Sequence, residues 1–332
     1  MSERLRWLMA LLCCWALILC RAEAMAAVWG ALSYWATGYV AAMLPFYMVL
    51  PALTSGYAAA LYERVCGRVM AIFGLGGRYA GAVMISMMAG SPAGAMALMR
   101  LAPEGMTRGE LSRVGVLCSG LSPLFIGAAI GTGALGSGWA GAVLMRAQVG
   151  AVLVGGILLR KAWEKDKTIV AGAGGAMPAV QATQALLTVG GYMAVSAVVA
   201  KVLGVIFGSR IEGLLLPILE VTGGAHVLAA MDMDMNLKMI LIAGMLGFGG
   251  LSIGLQNLSK LGGLPRQRLC VGKLLHAALG ALFCGLQMRL GERAIPAMAQ
   301  IAERAAMSAS LVFLLVWVGI AAILRHDSQG NQ

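Results

Sequence analysis

Glu220 is the lone acid in the apolar stretch GLLLPILEVTGGAHVL. A carboxylate in lipid is costly unless it is paired, hydrated or neutral. It therefore reads as a proton-coupling group or a hydrogen-bond donor to a solute, or else as an interfacial acid or a structural partner of Arg146. Arg146 lies within the run SGWAGAVLMRAQVGAVLVGGIL. If that whole run spans, Arg146 is too deep to snorkel easily. A fixed guanidinium facing a cavity would take a carboxylate bidentately; if the span starts near 147, Arg146 lies at the surface. Gln256 and Asn257 close an apolar run, where amides bond a polar ligand or a neighbouring helix. Thr222, Ser119 and Ser122 are further candidate lining residues. His276 reads as a cavity residue or, more usually, as a lone satisfied histidine.

These residues sit near two interrupted apolar runs. The first, AVMISMMAGSPAGAMALM at 82–99, has helix-breaking chemistry at its centre: Gly90, Ser91, Pro92 and Gly94. The second, 239–259, contains GFGGLSIG, with Gly250, Ser252 and Gly254. Arg64, Arg68 and Arg78 precede the first run, and Arg100, Arg108 and Arg113 follow it. Lys238 precedes the second, and Lys260, Arg266 and Arg268 follow. Positive charge at both ends disfavours a single crossing and favours a re-entrant hairpin turning at Gly90–Gly94, with a hairpin or broken helix in the second run. Backbone groups freed at such depth are tolerated only if buried in protein or facing a wet cavity. Freed amides at half-helix N-termini would also attract an anion. The alternative is tight helix packing, for which Gly90/Gly94 and Gly250/Gly254 have the spacing.

The elements that must position these groups follow from composition. The 332 residues are 60% hydrophobic and 12% charged, against roughly 45–50% and about 25% in soluble domains. Many runs approach the ~20 apolar residues of a spanning helix. The fold class is all-α: a polytopic membrane protein with two internally repeated halves and broken or re-entrant helices. The excess of 25 Lys+Arg over 14 Asp+Glu lies in short loops between apolar runs, as lipid headgroups favour, and no basic stretch is interleaved with aromatics, so no nucleic acid is expected. Seven scattered cysteines have no zinc spacing. Asp232 and Asp234 supply too few oxygens for calcium. No nucleophile elbow, phosphate loop or dinucleotide fingerprint is present. An enzyme, a metal and a cofactor are therefore not expected.

Residues 1–36 read as an N-terminal helix, or a signal peptide or anchor ending near Ala22-Glu23-Ala24, followed by an interfacial segment anchored by Trp29 and Trp35. A span is expected from about 38 to 60, and a surface-lying helix after it. Residues 37–162 form a first repeat, 163–178 a hydrophilic connecting loop and 179–290 a second repeat. Residues 291–332 hold a last span at 305–324 and a polar tail. In the second half, spans are expected near 181–206, 213–231, 239–259 and 269–288. The internal match pairs GSPAGAMALMRL (90–101) with GLSIGLQNLSKL (250–261), and MRAQVGAVLVGG (145–156) with LHAALGALFCGL (275–286). It leaves a helix-sized insertion around 114–134. Repeated halves with interrupted helices are a recurring plan of secondary transporters.

GSPAGAMALMRLAPEGMTRGELSRV followed by CSGLSPLFIGAAIG, with LEVTGGAHVL and GFGGLSIGLQ further on, resembles the sporulation integral membrane protein family YlbJ, which carries a nucleoside-recognition, or Gate, domain. The likeness covers roughly 37–290. Cys118, Ser119 and Ser122 stand where that family usually has asparagines. The resemblance implies a membrane protein of spore-forming bacteria, in the cell membrane or outer forespore membrane. It implies a transporter or channel moving a small anionic aromatic metabolite, dipicolinate, during spore formation. A non-transporting scaffold or assembly factor for sporulation is the alternative. Implied partners are the solute, membrane lipid, and either further copies of the chain or other sporulation membrane proteins.

Overall fold

The computed structural model describes residues 3–102, 104–170 and 179–291. The expected last span at 305–324, the polar tail and residues 171–178 of the connecting loop lie outside the described residues. The chain divides into two units at Gly285–Leu286. Of the second unit, only 286–291 are described, as the end of the last helix.

Every regular element described is helical. The chain opens with α1 (Glu3–Leu19). It continues through α2 (Arg21–Tyr34), a π-helical stretch (Trp35–Val40) and α3 (Ala41–Leu53). Residues 21–53 thus form one 33-residue run long and apolar enough to cross a membrane. This corrects the expectation of an interfacial segment to 36 and a separate span from 38. Trp35 does not anchor a surface helix: its Nε1–H donates to the Leu186 carbonyl at 3.0 Å, tying the run to α10 (Ala179–Phe207). Among the described residues four further runs are long and apolar enough to do the same: Gly138–Leu158, Thr183–Phe207, Met235–Lys260 and Arg266–Leu290. Their outer faces carry exposed Leu153, Val195, Phe207, Leu241, Leu255 and Leu274. Water would penalise such a surface, whereas lipid solvates it. The protein is an all-α polytopic membrane protein.

After α4 (Gly56–Met70), α5 (Ala80–Ala89) and α6 (Ala93–Leu101) fold back on each other. A Cβ on Gly94 would collide with the Ser86 side chain, and one on Gly81 would lie 2.9 Å from Leu101. The arms are therefore antiparallel, and both ends of 79–102 lie at one end of the molecule. The same device recurs at α11 (Ser209–Leu219) and α12 (Val221–Ala230). There Gly224 abuts Pro217, and Gly213 faces Met231. The expected span at 213–231 is thus a second hairpin with Glu220 at its tip.

Each hairpin is followed by an interrupted helix and a long one. In the first half these are α7 (Arg108–Leu117), a break at 118–122, α8 (Pro123–Phe125) continuing as a π-helix to Ala134, then α9 (Gly138–Leu158). In the second half they are α13 (Met235–Phe248), a break at Gly249, α14 (Gly250–Lys260), then α15 (Arg266–Gly291). In element order, 108–134 therefore corresponds to 235–260. It is not an insertion, and the partner of hairpin 80–101 is 209–230, not 250–261.

The two series run in opposite directions. One end of the molecule gathers the loops at 71–79, 102–107, 159–170 and 261–265. There Arg113 Nη1 donates to the carbonyls of Gly74 (3.1 Å) and Arg160 (2.7 Å). Arg78 pairs with Glu110 at 3.0 Å, and Arg268 with Asp166 at 2.7 Å. Backbone bonds join Arg108 to Thr168 and Val170 to Met106. Hairpin α5–α6 enters from this basic end. α7 leaves it and α9 returns to it. α14 arrives at it and α15 leaves it, so α13 and hairpin α11–α12 start from the other end.

Candidate solute site at the helix breaks

Each hairpin tip is wedged into the break of its own half. Gly90 has φ +66°, and a Cβ there would strike the Ser122 backbone, so only glycine lets the tip seat. The Ser91 N–H donates to the Gly120 carbonyl at 2.8 Å. Its hydroxyl donates to Asn257 Oδ1 on α14 at 2.6 Å, linking the first tip to the second half. Pro92 precedes the first turn of α6, and Gly94 keeps the arms close. Ser122 Oγ caps α8 by accepting from Phe125 N–H at 3.0 Å. Ser119 Oγ donates to the Val116 carbonyl at 2.7 Å. The Ser119 carbonyl accepts from Lys273 Nζ of α15 at 2.9 Å.

The second junction is built around Glu220. Its carboxylate caps α12, accepting from the N–H groups of Thr222 (2.8 Å) and Gly223 (2.6 Å). Gly249 and Gly250 have φ +79° and +70°, and a Cβ on Gly250 would lie 3.0 Å from the Leu219 carbonyl. Here the left-handed glycines lie in the break, whereas Gly90 lies in the first tip; in both places glycine lets tip and break meet. Groups that a hairpin frees at depth are thereby closed by protein.

On α14 and α15, buried polar groups remain without partners among the described residues. Gln256 is buried with neither side-chain polar atom bonded, and Asn257 is fully buried with Nδ2 unbonded. His276 is buried with both ring nitrogens unpartnered. Ser252, Thr222 and Lys273 are also buried. Native interiors rarely leave such groups without partners; a polar solute or water inside the protein would supply them. Beside Thr222 a partly open cavity of ≈ 470 Å³ is lined by both π-helical stretches and by Tyr34, Ala42, Leu124 and His226; Gln256, Asn257, Lys273 and His276 do not line it. Tyr34 and His226 stack with ring centroids 4.0 Å apart, and His226 Nδ1 lies 2.9 Å from the Thr222 carbonyl. Single-turn π departures are frequent at functional sites. The volume is in the range of small-molecule sites.

Twelve of the thirteen sequence-derived candidates lie at these junctions: Gly90, Ser91, Pro92, Gly94, Ser119, Ser122, Glu220, Thr222, Gly250, Ser252, Gln256 and Asn257. Arg146 does not. Its side chain is exposed midway along α9, while Gln148, two residues on, points inward and donates to the Ala243 carbonyl at 2.7 Å. Two positions on a helix are about 200° apart, so a modest error in the assumed face reverses the assignment. Glu220 is a helix cap rather than a partner of Arg146. At the starts of α6 and α14, where freed amides were expected to hold an anion, Pro92 and Gly249 make no side-chain capping bond; the starts of α8 and α12 are capped by Ser122 and Glu220. His276 is not a satisfied histidine. The sequence does not single out Lys273, which follows Arg266 and Arg268 and reads as one more flanking charge. Its signal was the pair Lys273/His276, three apart inside an apolar run and hence on one face. Among the described residues no three His, Cys, Asp or Glu side chains converge as metal ligands would. Compared with family models, curated proteins and solved structures, the chain matches none.

Proposed function

We propose that the protein is a secondary carrier whose solute binds between the two hairpin tips. One observation carries this: hairpins entering from opposite ends meet broken helices, and α14 and α15 carry buried amide and imidazole groups that no described protein atom satisfies. Inverted repeats with discontinuous helices place solute sites at mid-membrane, and rocking of one half against the other alternates access. The solute we propose is a small anionic aromatic metabolite, with dipicolinate during spore formation as the particular candidate, following the YlbJ-like motifs. The basic end, with Arg78, Arg108, Arg113, Arg160 and Lys161, faces the cytoplasm under the positive-inside bias, in a bacterial cell or forespore membrane. A scaffold would gain nothing from leaving Gln256 and His276 unsatisfied.

Purified protein in liposomes is the test. Labelled dipicolinate should enter saturably, faster than labelled nucleosides, and Asn257→Leu should abolish uptake while the protein remains folded. Liposomes that take up neither class above the protein-free level would overturn the carrier reading.

A further inference from the structure

We infer that Lys273 is the charge-selecting residue of this site, holding the carboxylate of a small anion; this rests on the carrier reading above. Lys273 is 3% exposed. An ammonium has three N–H donors and no acceptor. Its hydrogen bond among the described residues is to the Ser119 carbonyl, which leaves donors unused. No described carboxylate compensates it. The ion pairs found are Arg78–Glu110, Lys201–Glu212 and Arg268–Asp166, and Glu220 is committed to its own helix. A buried charge without a partner is strongly disfavoured, and a visiting anion would supply that partner.

The surroundings fit that visitor. A Cβ on Gly249 would lie 2.9 Å from Lys273 Nζ, so the ammonium lies against one break while bonding the other. It is linked to the first tip through consecutive carbonyls: Ser119 bonds Lys273, and Gly120 bonds Ser91, whose hydroxyl holds Asn257. His276 is on the same face of α15, three residues on. Asn257 Nδ2 and Gln256 Nε2 add unpaired donors. Lys273 brings a buried amine, with no described carboxylate beside it, to both breaks, which suits a carboxylate and disfavours cations. This is the role expected above for Arg146, whose side chain is exposed on α9.

The test uses full-length protein in liposomes and two isosteric probes, pyridine-2,6-dicarboxylate and its neutral diamide. Wild type should prefer the dicarboxylate by roughly ten- to a hundredfold, the range for hydrogen bonds to charged groups. Lys273→Met should carry both alike, and its melting temperature in detergent should not fall, because an unpaired buried charge has been removed. Arg146→Gln, on the outer face, should keep the wild-type preference. A Lys273→Met protein that retains the preference would overturn the inference, and a lowered melting temperature alongside it would mark Lys273 as a structural tether to Ser119. Wild type that carries the diamide but not the dicarboxylate would overturn charge selection while leaving the carrier intact. Wild type that carries no solute would sink the carrier reading, and this inference with it.

Discussion

The interrupted runs at 79–101 and 235–260 look alike in sequence and are built differently. Both have glycine-rich centres and flanking basic residues. The first folds back into a hairpin; the second continues as one 26-residue run long enough to cross a membrane. The difference lies in where the glycines face. In the first, Gly81 and Gly94 open space for the opposite arm. In the second, Gly247 faces the α15 backbone at His276–Ala277, Gly244 faces Ala277 and Ala281, and Gly249 faces Lys273. A glycine break states that a helix stops, while packing partners decide whether it turns back.

The largest expected effect separates residues that sequence alignment pairs, Gly94 and Gly254. A Cβ on Gly94 would overlap Ser86 and press on the Cys118 carbonyl, whereas one on Gly254 meets nothing within 4 Å. Gly94→Ala should destabilise by about 1–3 kcal/mol through overpacking. Gly254→Ala should be neutral or stabilising by up to about 1 kcal/mol, since alanine is the better helix former. Gly247→Ala should resemble Gly94→Ala, because its Cβ would enter the α15 backbone. Thermal melts of the three variants in one detergent decide this, and equal melts for Gly94→Ala and Gly254→Ala would erase the distinction.

The second hairpin tests whether an acid can do what Gly-Ser-Pro does. Glu220→Ala leaves the Thr222 and Gly223 N–H groups without their cap, and caps contribute about 0.5–2 kcal/mol. The melting temperature should fall, and amide exchange should accelerate at 221–224 and not at 90–94. Uniform acceleration across both tips would refute a local capping role.

Composition made the membrane class readable, and charge at both ends of 79–101 made the first hairpin readable. The second hairpin was hidden because its tip, Leu219-Glu220-Val221, has no glycine or proline, and its arms together look like one span. Gln148 was hidden by the louder Arg146, since apolar residues surround both and hydropathy does not give a helix its orientation. The π-helical stretches carry no sequence mark, as their small residues suit an α-helix equally well.

Smaller effects belong to the two sides of α9 and to the basic end. Gln148→Leu removes the bond to the Ala243 carbonyl, and interhelical hydrogen bonds in membranes average about 0.6 kcal/mol. It should lower the melting temperature slightly more than Arg146→Gln does. At the basic end, hydrogen bonds from Thr168 and Arg268 hold the Asp166 carboxyl below its ordinary range. A depressed carboxyl contributes stability that is present above its unfolded pKa and lost as pH falls through its folded pKa. The melting temperature of wild type should therefore drop across the acid range below the usual aspartate value, and Asp166→Asn should flatten that part of the profile. A wild-type profile unchanged by Asp166→Asn would remove this pair from the account.

The inverted insertion of the two hairpins is tested most directly by single cysteines in a cysteine-free chain, placed at Arg78, Glu104, Ser209 and Asp232. Vesicles of known orientation are treated with a membrane-impermeant thiol reagent. The account predicts that Arg78→Cys and Glu104→Cys react from one side, and Ser209→Cys and Asp232→Cys from the other. Labelling of all four from a single side, or of the two ends of either hairpin from different sides, would contradict it.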